Sequence, residues 1–145
     1  MVNFTLQAIH GYRETEKSKW SKKCSPILKR LIETSFQGNS QLIPQVHILD
    51  LSPEGVIKPH VDSIRFCGNI ISGLCLSSDA VMRLVKEDEK DQIIDIFLPQ
   101  RGLYIMKDES RFKYTHEILS QDSSYFGEKY IERSRRISVI CRNSP

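Results

Sequence analysis

This sequence predicts a mainly β chain, a sandwich or jelly roll, with one amphipathic helix ahead of its strands. Three observations carry that expectation. After Gly38 the apolar pattern leaves helical spacing for short runs rich in Ile, Val, Leu and aromatics, at 42–51, 66–76, 81–86, 93–98, 102–107 and 137–142. The breaks between runs carry turn chemistry: Ser52-Pro53-Glu54-Gly55, Ser77-Ser78-Asp79, a charged tip at 86–92, and Pro99-Gln100-Arg101-Gly102. Strands so regularly spaced, with almost no helix between them, are the pattern of an all-β layered architecture.

The elements follow in order. Residues 10–20 read as a polar approach, irregular or weakly helical, with Trp20 as an anchor. Ser25-Pro26 opens a helix, Ser as the cap and Pro at the first helical position. Ile27, Leu28, Leu31, Ile32 and Phe36 then recur at helical spacing, and Gly38-Asn39 ends the run. Residues 120–135 form a polar excursion before the last strand. Repeats and low-complexity stretches are absent from the sequence.

With 145 residues the chain is expected to form one domain, 1–145, able to bury a core of its own. A hydrophobic fraction of 39% with 27% charged residues is ordinary for a globular protein. The net charge of +3 is mild, and bases alternate with acids, as in Arg13-Glu14-Thr15-Glu16-Lys17. Such interleaving marks a solvated face rather than a nucleic-acid groove. Cys24, Cys67, Cys75 and Cys141 lack C-x-x-C spacing, which argues against a zinc ribbon or thioredoxin-type site. Three of them sit in apolar stretches, so free thiols in a reducing compartment are expected. No apolar run approaches the length of a membrane span, and the first twenty residues mix acids with bases, unlike an import signal. The chain is expected to be a monomer.

The chemistry concentrates in few positions. In His60-Val61-Asp62 two side chains spaced by two point to one side of a strand, so they can grip one metal together; the plain alternative is a surface histidine beside a carboxylate. His116 lies in a half-buried strand pattern, where a lone histidine is ordinarily a hydrogen-bonded core residue. It becomes a third ligand only through the upstream pair. Two imidazoles and one carboxylate cap one face of an octahedral iron(II) and leave three positions for a chelating cosubstrate and O2.

In Arg136-Ile137-Ser138-Val139-Ile140-Cys141-Arg142, period-two alternation places Arg136, Ser138, Ile140 and Arg142 on one face. Buried guanidiniums demand anions, because an unpaired buried charge is very costly. A dicarboxylate such as 2-oxoglutarate answers that demand, with its far carboxylate on Arg136 and either its metal-side carboxylate or Asp62 on Arg142. Tyr104 can add its hydroxyl at the far carboxylate. An edge strand with solvated arginines is the alternative.

His60-x-Asp62, His116 and Arg136-x5-Arg142 together resemble the signature of the AlkB family of iron(II)/2-oxoglutarate dioxygenases. The likeness extends through residues 10–17, 57–63, 66–68, 81–85 and 126–142, and is strongest to a mitochondrial branch of that family. It implies a double-stranded β-helix (jelly roll) with the amphipathic helix packed on it. It implies metal ligands His60, Asp62 and His116, and cosubstrate contacts Tyr104, Arg136, Ile137, Ser138 and Arg142. It also implies a mitochondrial matrix location and a part in regulated necrosis and fatty acid metabolism. The family pattern carries more residues before position 8, so the N-terminus is expected to be shortened. No basic, aromatic-bearing segment is present to flip and stack a base, so the expected substrate is a protein or mitochondrial RNA, not duplex DNA. Two rivals stay open: a non-catalytic partner-binding jelly roll that keeps the metal site, and a structural metal site closed by His47.

Overall fold

A computed structural model describes residues 9–38 and 41–145. Its strands are β1 (Ile9–Lys17), β2 (Val46–His60), β3 (Ile70–Leu76), β4 (Ala80–Lys86), β5 (Ile93–Leu98), β6 (Leu103–Lys107), β7 (Tyr114–Ile118), β8 (Tyr125–Phe126), β9 (Lys129–Tyr130) and β10 (Arg136–Arg142). Helix α1 (Ser25–Ser35) and the single turn α2 (Glu109–Phe112) complete the regular structure, with one short 3-10 turn at Gln121–Ser123.

The main sheet runs β5-β4-β7-β2-β10-β3-β6, with β1 added against β2, and every pairing is antiparallel. One strand serves both halves. The first part of β2 pairs with β10 (Leu49↔Ser138), and its end pairs with β7 (His60↔His116). Two walls, β10-β3-β6 and β7-β4-β5, therefore fold from one strand into the nearly closed jelly roll that the sequence implied.

Helix α1 covers the outside. Leu28, Leu31 and Phe36 pack with Val46, Val139 and Cys141, so the outward face of β10 is buried beneath the helix. Each such large side chain withdrawn from water contributes about 1.5–3 kcal/mol. The expected cap differs by one residue: Cys24 occupies the N-cap without a side-chain bond, and Ser25 sits inside, its hydroxyl donating to the Ser21 carbonyl at 2.9 Å. Asn39 lies outside the described residues.

Two expectations are corrected. Residues 10–20 are not an irregular or helical approach, since most of them form β1, in register with β2 from Ile9↔Ile57 to Lys17↔Val46. Its alternating Arg13, Glu14 and Glu16 lacked the apolar period by which a strand is read, and strand pairing overrode that pattern. Likewise Ser52-Pro53-Glu54-Gly55 does not end a strand. Tyr12 pairs with Leu51 and His10 with Val56, so the four residues bulge out opposite Gly11 and β2 continues. Gly11 takes φ +68° there, and a Cβ on it would stand 2.8 Å from the Ser52 hydroxyl.

Candidate metal centre and anion cleft

His60 ends β2 and faces His116 on β7, their ring centroids 4.2 Å apart. Asp62 follows just past the strand end and turns its Oδ1 toward both rings, 3.3 Å from His60 Nε2 and 3.8 Å from His116 Nε2. The three ligand atoms all lie within 4.8 Å of one another, and this trio can hold a metal ion.

The donor set fits a cation on two counts. His60 Nδ1 lies 2.8 Å from the Lys58 carbonyl, so that nitrogen carries the proton and donates it. Nε2 is thereby the nitrogen turned to Asp62, and it is the one a cation between them would take. Burial and the neighbouring His60 push the His116 ring down to about 3, so it stands neutral and ready to donate a lone pair. Burial also works against charge on His60, but the Asp62 hydrogen bond and charge outweigh it and leave the ring raised. Burial opposes the charge of Asp62 as well. Arg142 and the two histidines overcome that and hold its carboxyl well below the usual carboxylate range.

Arg142 and Arg136 reach the same cleft from one face of β10, as the alternation predicted. The cleft encloses about 470 Å³ including its open mouth, and Tyr104 and Ser138 also line it. Arg142 Nε donates to Asp62 Oδ2 at 2.7 Å. Arg136 is different. It is 2% exposed, and its guanidinium donates to the Ser138 hydroxyl at 2.6 Å and to Cys75 Sγ at 3.2 Å. Its Nε has no partner, and among the described residues no carboxylate pairs with it. Tyr104 leans over Gly73, its partner on β3, where a Cβ would collide with the ring. Burial pushes the Tyr104 phenol up to about 12, so it remains a neutral donor.

His60, Asp62, His116, Tyr104, Arg136, Ser138 and Arg142 thus come together, whereas Ile137, implied by resemblance alone, lies off the cleft with its partners Leu76 and Asp50. His47 lines the cleft, but its Nε2 is bonded to Glu14 Oε2 at 2.8 Å and it lies outside the metal-ligand trio. Sequence reasoning missed two buried arginines. Arg111 donates to the carbonyls of Asp62, Ser63, Cys67 and Gly68, and Arg133 to those of Leu119, Ser52 and Gly55. Both sit in polar stretches, where a cation reads as solvated.

No family model matches the chain. It is 51% identical over 138 residues, 95% of its length, to "Alpha-ketoglutarate-dependent dioxygenase alkB homolog 7, mitochondrial" of Bos taurus, and 49% identical to the Mus musculus protein of that name. It spans 62% of the length of these relatives. A Pseudomonas putida prolyl-4-hydroxylase shares the fold at TM-score 0.61 and 15% identity, covering 97% of this chain and 76% of that one. In sequence, then, the chain is AlkB-like, resembling the mitochondrial seventh AlkB homologue along nearly its whole length.

Proposed function

We propose that residues 1–145 form one iron(II)/2-oxoglutarate-dependent dioxygenase domain, acting as a monomer. The observation that carries this reading is Arg136: a buried guanidinium without an anion, in the same cleft as a His-Asp-His trio. His60 Nε2, Asp62 and His116 Nε2 would hold iron(II). When bound, the metal would supply the redox chemistry by which O2, 2-oxoglutarate and a substrate C–H bond become CO2, succinate and the hydroxylated substrate, one oxygen atom going to succinate and one to the substrate.

The chain's own residues do the rest. Arg142 keeps Asp62 ionised and turned, so that one carboxylate oxygen stays free for the metal. Arg136 and Ser138, with the Tyr104 hydroxyl, bind the far carboxylate of 2-oxoglutarate, and the length of β10 between the two arginines selects the dicarboxylate. Ile137, on the opposite face, would act only by holding β10 in place between Leu76 and Asp50. Met82, Ile118 and Ile140 line the same cleft and exclude water from it.

The substrate in this reading is a protein side chain or mitochondrial RNA, not duplex DNA. Supporting a substrate other than a duplex backbone, Arg111 and Arg133 are buried away from phosphates, while the exposed Arg13 and Arg135 share the acid Asp50 and Arg83 pairs with Asp95. A matrix location and a part in regulated necrosis and fatty acid metabolism follow by resemblance to the mitochondrial relatives. No helix among the described residues is long and apolar enough to cross a membrane.

The test is turnover without a prime substrate. Iron(II), 2-oxoglutarate and O2 should yield succinate slowly, and the Asp62→Ala variant should yield none. A wild-type chain that binds metal and 2-oxoglutarate but forms no succinate would establish the partner-binding alternative instead.

A further inference from the structure

Arg111 holds four backbone carbonyls at once. Its Nε donates to Gly68 at 2.9 Å, one terminal nitrogen to Asp62 at 3.0 Å, and the other to Ser63 at 3.2 Å and Cys67 at 3.3 Å. The side chain is 2% exposed and pairs with no carboxylate among the described residues. Those carbonyls belong to the irregular segment 61–69, which has no ladder to fix it and which carries Asp62 as its second residue.

The other end of the clamp is equally tied. Arg111 lies on α2, the single turn between β6 and β7, and β7 carries His116 two residues in. Asp108 enters that turn at φ +50°, a strained conformation for a residue with a Cβ. Asn69 secures it: its amide donates to Asp108 Oδ1 at 2.9 Å, and its carbonyl accepts from the Asp108 N–H at 3.0 Å. Asn143, next to Arg142, donates to Asn69 Oδ1 at 2.9 Å, while Gly68 N–H donates to the Asn143 carbonyl at 2.7 Å. One polar cluster therefore joins the backbone behind Asp62, the lead into His116 and the strand end bearing Arg142.

We propose that Arg111 is a positioning residue for the metal centre, fixing the Asp62 segment against the α2–β7 entry so that Asp62 and His116 stand at ligand distance before metal arrives. This rests on the reading of His60, Asp62 and His116 as ligands. Arg133 is the natural control, because it too is 2% exposed and caged by carbonyls, but it fastens the 52–55 bulge and Leu119 rather than the ligand segment.

The experiment titrates Co(II) into the metal-free full chain by calorimetry and absorption, alongside thermal melts. Arg111→Lys should weaken Co(II) binding roughly ten- to a hundredfold, as loss of a group orienting metal ligands does, and alter the visible bands of the bound ion. Arg133→Lys should lower Tm while Co(II) affinity and bands stay within twofold of wild type. Asn69→Ala probes the same clamp from its other end, should Arg111→Lys not fold, and is expected to weaken Co(II) several-fold. Wild-type affinity in Arg111→Lys, or in Asn69→Ala where only that variant folds, overturns the proposal, as does equal weakening in Arg133→Lys. Co(II) binding that survives in the His60→Ala, Asp62→Ala double variant overturns the metal centre itself, a separate failure.

Discussion

Arg136 and Arg142 leave β10 on the same face, six residues apart, yet they meet opposite surroundings. Arg142 is closed by Asp62 at 2.7 Å, and that carboxylate in turn faces both histidines. Arg136 finds only a hydroxyl and a thiol. The difference teaches where the cleft is complete and where it waits for a ligand. A satisfied buried pair is architecture, and a buried cation that lines an open cleft without an anion is a binding site held ready at a cost in stability.

The largest expected effect removes the anion at the completed end. The His60→Ala, Asp62→Ala double variant should lose tight metal binding altogether, and stoichiometric iron retained after desalting would end the assignment. Arg142→Met comes next. It strands the buried Asp62 carboxylate and should destabilise the metal-free chain by about 3–5 kcal/mol in urea unfolding. Arg136→Met strands no charge, only the Ser138 hydroxyl and the Cys75 thiol, so it should cost far less in unfolding stability than Arg142→Met. Equal losses for the two variants would erase the distinction between the arginines.

A finer probe keeps the charge at Arg136. Arg136→Lys offers a point charge for a fork, and should weaken 2-oxoglutarate binding about tenfold, or about 1.4 kcal/mol, in calorimetry on metal-loaded protein. Unchanged affinity would remove Arg136 from the site.

The smallest effect concerns the solvated counterpart of the buried pair. Hydrogen bonds from Arg135, then Arg13, hold the Asp50 carboxyl below its ordinary value. Because the folded value is depressed, this stabilisation is present above the ordinary carboxylate range and is lost as pH falls toward the folded value. Asp50→Asn should therefore flatten the acid side of the stability profile slightly, and salt should do the same to the wild type. An acid limb unchanged in both would show the surface pair to be energetically idle.

Legibility from sequence followed the locality of the signal. The last strand was readable because its alternation is intrinsic to seven consecutive residues, and β10 presents the predicted face to the cleft. His60 and Asp62 were readable because their spacing is local. β1 was not, since its polar pattern becomes a strand only when β2 is there to pair with it. The bulge at Ser52–Gly55 was unreadable for the same reason: a Ser-Pro-Glu-Gly turn and a four-residue bulge are the same letters until Gly11 lies opposite.

By itself, then, the sequence determined the β architecture, the α1 helix and the residue types of the cleft, because strand and helix periods and residue chemistry are carried along the chain. Only the tertiary structure decided that Arg142 closes on Asp62 while Arg136 stays open, and that Arg111 and Arg133 are buried. Those outcomes depend on which carboxylates and carbonyls come within about 3 Å, a distance set by strands and loops far apart in the chain.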